Sequence, residues 1–314
     1  PGWVDVYSVA QDCRHPVLDS SLPVGLLGHE GTFSPDGRTF WVSSAGGGTL
    51  TAVDVANPLT PAPVWFGLGM DVHGLNVSDD GKTLYFADLG NDGRSPGLTI
   101  LDVSQVQQRI PNPKVRVVSH LTWSTVSIPQ VPIPVTINHH PYLVEVDEYA
   151  SDSGPLPSTA ANARVGAARI IDIGDVAHPR VISNIRLEVN MARNRGLVSN
   201  DPGANSSLQG YAGHYCAVPQ RADPGIVACS FILSGLRVFD IRDPYHPKEI
   251  AYFNAPSQRS GLTASNFAMS APAFDPQHGA IWYTDGNHGF YVVKITNGVW
   301  PFAPTSATSV AARH

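Results

Sequence analysis

The sequence predicts an all-β protein, a β-propeller of four-stranded blades, and three observations support this prediction. A strand-like apolar run that ends in Asp and one more apolar residue recurs at residues 50–55, 99–103, 169–173 and 236–241, with degenerate copies at 4–9 and 290–295. Self-similarity at periods of roughly 40–50 residues is typical of propellers. Gly (29) and Pro (27) are plentiful and 15% of the residues are charged, which favours many short strands joined by tight turns.

Each repeat is interpreted as four consecutive strands, of which the Asp-terminated run is the third. The first strand ends in a turn such as Pro-Asp-Gly at 35–37, and the fourth follows a Pro-containing turn. This interpretation predicts one domain over residues 1–304, with a partial blade at 1–27 and blades at 28–68, 71–123, 128–189, 212–255 and 266–300. We expect the small, polar tail 305–314 to be disordered. An all-β sandwich is the alternative, but it would not place four near-copies of one strand at matching positions.

Charge and hydropathy exclude several classes of partner. The net charge is −6 and the chain has no basic cluster, so neither a nucleic-acid groove nor a polybasic membrane patch is indicated. No apolar run approaches the roughly 20 residues that a membrane helix needs. The chain starts at Pro-Gly-Trp without a Met or a signal-peptide pattern, so we expect upstream sequence, including a signal peptide, to be missing.

The cysteines suggest an oxidising compartment. Cys216 and Cys229 lie symmetrically about a turn-forming segment at 219–225, so two strands folding back there would bring them opposite one another. We predict a Cys216–Cys229 disulfide, and the alternative is two buried thiols. Cys13 is the odd residue, and a partner in the missing upstream region would explain it. A cross-strand disulfide implies a secreted or cell-envelope protein.

The repeated strands also carry a family resemblance. Apolar-x-apolar-apolar-Asp-apolar strands followed by Asp-Pro-x-His-Pro at 243–247 or Ala-His-Pro at 177–179 resemble the LVIVD-repeat proteins. Gly-His-Glu-Gly at 28–31, His-Gly-Leu at 73–75 and Gly-His-Tyr-Cys at 213–216 are similar to exported actinobacterial members. The resemblance covers nearly the whole chain and implies a propeller, export and a seven-bladed parent with about two further N-terminal repeats. It implies architecture more readily than activity.

Counting back from the recurring Asp places three histidines in one register. His29, His73 and His214 precede the Asp of their own repeats by 25, 29 and 26 residues. Val131 and Met269 take the same position in the third and fifth repeats, where Met269 opens the predicted strand 269–274. This position starts the predicted innermost strand of each blade, and innermost strands line the central channel of a propeller.

Converging imidazoles predict a possible copper or zinc site, because imidazole is the commonest metal ligand near neutral pH. The alternative is a set of channel-lining histidines bonded to water, to backbone or to carbonyls of neighbouring blades. Val131 cannot ligate, and Met269 is either a soft copper ligand or a gap-filling core residue. Glu30, Asp71 and Tyr215 flank the histidines and are candidate ligand-binding groups, or else ordinary polar residues of the rim.

Loop lengths favour one face of the predicted propeller. The long segments 150–166 and 190–212 belong to loops that open on the side of the propeller where the first strands start. We call this side the loop-rich face. Asp147 or Glu148 could reach this face, although nothing in the sequence pairs them with a base. His139 and His140 fall in a turn on the far face and are predicted to be solvated.

The recurring Asp54, Asp102, Asp172 and Asp240 are predicted to be scaffold residues. A residue kept in every blade is most simply a turn-former whose carboxylate accepts backbone N–H bonds. The sequence has no nucleophile elbow, no phosphate-binding Gly loop and no zinc-finger spacing.

Two functions follow as hypotheses. The first is an exported, monomeric propeller without a catalytic signature, which binds an unknown small molecule or protein on its loop-rich face. The alternative is a metal-dependent enzyme, such as an oxidase, with copper or zinc held by His29, His73 and His214.

Overall fold

The computed structural model describes residues 2–90, 93–123, 128–148, 166–191, 193–204, 210–256 and 266–299. The predicted disordered tail 305–314 and nearly all of the insert 150–166 lie outside the described residues. The strands are β1 (Gly2–Ser8), β2 (Val17–Gly25), β3 (Gly28–Phe33), β4 (Thr39–Ser44), β5 (Thr49–Asp54), β6 (Ala62–Leu68), β7 (Val72–Val77), β8 (Thr83–Asp88), β9 (Gly97–Asp102), β10 (Arg116–Leu121), β11 (Ile128–Ile137), β12 (His140–Glu148), β13 (Ala168–Asp172), β14 (Arg180–Ile185), β15 (Gly213–Ala217), β16 (Ile226–Phe231), β17 (Gly235–Asp240), β18 (Lys248–Phe253), β19 (Ala273–Asp275), β20 (Ala280–Asp285) and β21 (Gly289–Lys294).

Helix is limited to short pieces in the described part of the chain. One helical turn, α1, covers Ser104–Gln107, and 3₁₀ turns cover Glu188–Asn190, Arg195–Val198 and Ile232–Ser234. No helix within the described ranges is long and apolar enough to cross a membrane.

The strands form successive sheets in chain order. Four sheets have four strands each, β3–β6, β7–β10, β11–β14 and β15–β18, and in each of them consecutive strands are neighbours. The described part of the chain also has a leading pair, β1–β2, and a last sheet of three strands, β19–β21. This topology confirms the predicted all-β propeller class, with five blades after a leading strand pair.

An identical irregularity fixes the register between third and fourth strands. Ser8, Asp54, Asp102 and Asp240 each pair with the first residue of the next strand, and after one further pair that strand skips one residue. A β-bulge of this kind increases the local twist of the outer strand. Because it recurs at one position, it identifies equivalent residues in different sheets, including the degenerate leading copy.

The recurring Asp side chains form turns, as predicted. The Oδ1 atom of each accepts the backbone N–H two residues later at 2.9–3.0 Å, in the pairs Asp54–Ala56, Asp102–Ser104, Asp172–Gly174 and Asp240–Arg242. These bonds redirect the chain into the fourth strand, so the repeated carboxylates are scaffold.

The chain divides into two compact units, residues 1–134 with 171–180 and residues 135–170 with 181–314. The core of the first unit contains Trp41 and Leu50 from the β3–β6 sheet with Leu84 and Phe86 from the β7–β10 sheet. The core of the second unit contains Leu236 from the β15–β18 sheet with Ile281 and Tyr283 from the last sheet. Each core consists of two sheets packed face to face.

Two local features bear on the predictions for single residues. Asn138 and His139 have positive φ values of 51° and 64°, as a two-residue hairpin turn between β11 and β12 requires, so His139 is a turn residue. The strand predicted at 269–274 is shorter, because Pro272 has no N–H for a ladder and β19 begins only at Ala273.

Candidate functional site

In the first unit, four polar side chains from three sheets meet where first strands begin. His29 and Glu30 lie on β3, His73 on β7 and Gln130 on β11. The imidazole centroids of His29 and His73 are 4.6 Å apart, and Gln130 Nε2 donates a 2.8 Å hydrogen bond to Glu30 Oε1. The shared register of the two histidines therefore brings them into contact.

Glu30 is held in place from several sides. Its backbone N–H donates to Ser43 Oγ at 2.8 Å, and the Ser43 hydroxyl donates to the carbonyl of His73 at 3.1 Å. A Cβ atom at Gly74 would lie 2.5 Å from Glu30 Oε2 and 2.3 Å from the Gln130 carbonyl oxygen. Glycine at position 74 is therefore needed for the close approach of the carboxylate.

The two histidines of this cluster differ in setting. His73 is buried, and its Nδ1 lies 2.6 Å from the carbonyl oxygen of Pro129. Since a carbonyl only accepts, Nδ1 carries the proton, and in the neutral ring Nε2 carries the lone pair. The side chain of His29 is 38% exposed, and its Nδ1 lies 3.9 Å from Glu30 Oε1.

Gln130 leaves one acceptor unsatisfied. The residue is fully buried, and its Oε1 atom has no hydrogen-bond partner among the described residues. An unsatisfied buried acceptor costs about 1–3 kcal/mol, so a donor group brought by a ligand or by water would be stabilised here.

In the second unit, His214 of β15 is bound at both nitrogens. Nδ1 lies 2.5 Å from the carbonyl oxygen of Met269, and Nε2 lies 2.8 Å from Oε2 of Glu148, at the end of β12. The ring of Tyr215 lies edge-on to the imidazole at 4.4 Å. The sequence predicts Met269 to be either a soft copper ligand or a gap-filling core residue, and in the structure its backbone carbonyl oxygen contacts the His214 ring. Glu148 is thus paired with a base that sequence reasoning did not find.

A buried ion triad near Glu148 joins β12 to β13. Arg169 of β13 donates to Oδ1 and Oδ2 of Asp147 at 3.0 and 2.8 Å, and it also donates to Glu145. Burial lowers the pKa of Arg169, but the charges of Asp147 and Glu145 and their hydrogen bonds outweigh burial and raise this pKa above its ordinary value. The sequence signal for the triad is three carboxylates in β12 beside a strand with one Arg.

Two predicted positions have structural roles. Asp71 Oδ1 accepts the N–H of Gly46 at 2.5 Å, and its carbonyl accepts the N–H of Leu89, so Asp71 joins two loops of the first unit. Val131 is a buried apolar residue of β11.

The described residues do not supply the predicted three-histidine metal centre. Within the described ranges, no group of three or more His, Cys, Asp or Glu side chains is placed to hold a metal ion. Both nitrogens of His214 face other acceptors, so this arrangement of the ring does not fit a metal ligand.

The second unit also has a groove of about 800 Å³ along β17, β18 and β21. Arg237 contributes to its lining, and Arg237 pairs with Glu249 at 2.9 Å and lies over the ring of Tyr252 at 4.8 Å. The residues that line the groove do not include a predicted site residue.

The Cys216–Cys229 disulfide is confirmed. The two residues are directly paired across β15 and β16, and their sulfur atoms are bonded. Cys13 is an exposed free cysteine.

Comparison with known proteins identifies a fold and no family. No protein-family model matches the sequence, and no curated protein matches it. Among solved structures, the periplasmic gluconolactonase PpgL of Pseudomonas aeruginosa is similar with a TM-score of 0.60 and 13% identity, over 94% of this chain and 79% of that chain. A Lactobacillus plantarum protein has a TM-score of 0.56 and 13% identity, over 88% of this chain and 68% of that chain. A putative 6-phosphogluconolactonase from Bacteroides uniformis has a TM-score of 0.55 and 13% identity, over 92% of this chain and 78% of that chain. At these identities the likeness concerns the fold.

Proposed function

We propose that this β-propeller is an exported, LVIVD-repeat type protein that binds a small polyhydroxylated ligand at His29, Glu30, His73 and Gln130. The observation that carries the proposal is the meeting of four polar side chains from three sheets, with His29 exposed and Gln130 Oε1 unsatisfied. Unlike the repeated Asp residues, these side chains do not form the turns of the scaffold.

The donor and acceptor pattern favours hydroxyl groups. Glu30 offers a carboxylate acceptor, Gln130 Oε1 requires a donor, and an imidazole can either donate or accept. A hydroxyl group donates and accepts, so a compound with several hydroxyls fits all of these groups. The net charge of −6 disfavours polyanionic ligands.

Export is supported by the Cys216–Cys229 disulfide, because such bonds persist in oxidising compartments. The repeated strand pattern and the Asp-Pro-x-His-Pro turn support the LVIVD-repeat assignment.

Calorimetric titration tests the ligand proposal. The probes are glucose, gluconate and gluconolactone, the last chosen because one structural neighbour is a gluconolactonase. We expect one of these to bind the full chain, with affinity at least tenfold lower in Glu30→Gln and unchanged in His246→Gln, an exposed turn residue. Absence of binding to all three probes, or equal affinity in Glu30→Gln, would overturn the proposal. Hydrolysis of gluconolactone above the spontaneous rate, lost in Glu30→Gln, would replace simple binding by lactonase activity.

The metal-dependent enzyme is the second candidate. It is favoured by the contact between the imidazoles of His29 and His73. Metal analysis of the purified protein distinguishes this metal-dependent enzyme from a protein that binds its ligand without a metal.

A further inference from the structure

A buried hydrogen-bond network joins three strands of the β7–β10 sheet. Thr99 Oγ1 of β9 lies 2.6 Å from Oδ2 of Asp88, the last residue of β8, and 2.9 Å from Nδ1 of His120 on β10. Nε2 of the same imidazole lies 3.1 Å from the carbonyl oxygen of Ser95, which precedes β9. Asp88 pairs with Val72, the first residue of β7, so the network lies at the end of the sheet where the first strand begins.

These contacts require one proton more than an ionised Asp88 and a neutral His120 carry. The carbonyl oxygen of Ser95 only accepts, so Nε2 must donate to it. The Thr99 hydroxyl has a single proton, which it can give to the carboxylate or to Nδ1 but not to both. The other of these two contacts needs a proton of its own, either on Nδ1 or on the carboxyl group. Without that proton, two acceptors would face each other at 2.9 Å or less.

The charged groups beside the imidazole are Asp88 and Arg94. Nδ1 of His120 lies 3.7 Å from Asp88 Oδ2, and Arg94 Nη2 lies 3.8 Å from the same oxygen. The buried carboxylate attracts the added proton, whereas the fixed positive charge of Arg94 opposes it. The side chain of His120 is 24% exposed, so the proton can enter and leave through the ring.

The segment 94–96 is also attached at its two ends. Arg94 Nη2 donates to the carbonyl oxygen of Gly69 at 2.9 Å. Thr122 Oγ1 donates to the carbonyl oxygen of Pro96 at 2.8 Å. Gly69 begins the connection from β6 to β7. The imidazole bond to the middle residue of the segment is thus one of three attachments that hold it in place.

We propose that the network is a proton-dependent latch, closed on the Ser95 carbonyl when the extra proton is bound and open when it is lost. Loss of the proton leaves a neutral ring with one N–H for two acceptors. Asp88 and Thr99 are 0% exposed, so an acceptor that loses its donor there stays unsatisfied, whereas water can reach the exposed contact with Ser95. The neutral ring therefore keeps its proton on Nδ1 and releases Ser95.

The direction of the response follows from proton linkage. A state that binds the extra proton is favoured at low pH, so the latch closes as pH falls and opens as pH rises. The latch requires no ligand, and it is separate from the function proposed above.

Long-range proton–nitrogen NMR spectra of the full chain, labelled with nitrogen-15 histidine and recorded from about pH 5 to about pH 9, test the proposal. His120→Gln identifies the His120 signal by its loss. We expect Nε2 of His120 to carry a proton at the acid end and to lose it at the alkaline end, where Nδ1 alone is protonated. The carbonyl carbon shift of Ser95 should change with the same midpoint, because this carbonyl loses its donor.

Asp88→Asn is the decisive variant, because its amide supplies the missing donor permanently. The amide nitrogen can donate to Thr99, the hydroxyl then donates to Nδ1, and Nε2 keeps its proton for Ser95. The latch of this variant should therefore stay closed at every pH. Asp80→Asn is the matched control, since it changes a 58% exposed carboxylate of the turn between β7 and β8, and it should respond to pH as the parent does.

A parent ring that keeps one protonation state over the whole pH range overturns the proposal. So does a neutral ring with its proton on Nε2, or a Ser95 carbonyl signal that does not follow the ring. An Asp88→Asn protein with the pH response of the parent overturns it as well. If Asp88→Asn does not fold, Thr99→Val replaces it, because without the hydroxyl the ring needs no second proton and Nε2 stays bonded to Ser95.

Discussion

Nε2 of His214 lies 2.8 Å from Oε2 of Glu148, while Nδ1 of the same ring lies 2.5 Å from the carbonyl oxygen of Met269. A carbonyl oxygen can only accept, so Nδ1 must carry a proton. The Nε2–Oε2 contact then holds one more proton, carried by either the imidazolium or the carboxylic acid. Both side chains are largely buried, with 11% and 7% exposure, so this proton is shielded from bulk water.

Removal of His214 should therefore destabilise the fold. We expect His214→Ala to lower the free energy of unfolding by about 3 kcal/mol, because the buried Glu148 carboxyl group loses the partner that shares its proton. Urea titration monitored by fluorescence measures this loss. The double variant His214→Ala/Glu148→Gln should recover part of the stability, since its buried group is neutral. Equal stability of the single and double variants would contradict a charged pair.

The triad of Arg169, Glu145 and Asp147 should be more sensitive still. Arg169→Met leaves two fully buried carboxylates without their shared guanidinium, and we expect a loss of about 3–5 kcal/mol. Adding Glu145→Gln and Asp147→Asn should restore folding. The control is Arg193→Met, whose 70% exposed side chain pairs with the 60% exposed Glu188 and should cost less than about 1 kcal/mol. Similar losses in Arg169→Met and Arg193→Met would disprove the role of burial.

The sequence predicts the scaffold well because the scaffold is periodic. Asp54 and Asp240 recur with the same spacing to the next strand, and a local Asx turn depends on few long-range contacts. The same regularity placed His29 and His73 in one register at the start of first strands, and their rings are in contact in the structure.

The site partners were harder to predict because they come from distant parts of the chain. Gln130 lies 100 residues from Glu30, and Glu148 lies 66 residues before His214, at the edge of an insert that breaks the repeat. Repeat spacing gives a position along a strand and does not specify which side chain of another sheet fills the space opposite. The groove beside Arg237 and Glu249 was missed for the same reason.

The pH dependence of stability should depend in part on Asp102. Hydrogen bonds from Ser104, followed by the hydrogen bond and charge of Arg116, lower the pKa of Asp102 to about 2 against the opposing effect of burial. A folded-state pKa below the unfolded value of about 3.9 means that this stabilisation is present above pH ~4 and is lost as pH falls towards ~2. Asp102→Asn should show a smaller drop in the free energy of unfolding between pH 5 and pH 3 in urea titrations. Parallel pH profiles for the two proteins would contradict this assignment.

The disulfide should stabilise the second unit measurably. It closes a loop with a sequence separation of 13 residues, for which chain entropy gives a contribution of about 3 kcal/mol. We expect Cys216→Ala/Cys229→Ala to lower the melting temperature, and dithiothreitol to lower that of the parent but not of the double variant. Cys13→Ser is the matched control and should melt as the parent, because Cys13 is exposed and free. A parent protein whose melting does not respond to reduction would show that the bond has no role in stability.

Metal content separates ligand binding from metal-dependent catalysis. Because both nitrogens of His214 face other acceptors, we expect His214→Ala to leave the copper and zinc content of untagged, purified protein unchanged. Plasma mass spectrometry measures this content in the parent, in His214→Ala and in His29→Ala/His73→Ala. Metal that is lost only in the double variant would favour a centre built on the contact between His29 and His73. Stoichiometric metal that is lost in His214→Ala would instead restore the three-histidine centre, and a metal-free parent would remove the enzyme hypothesis.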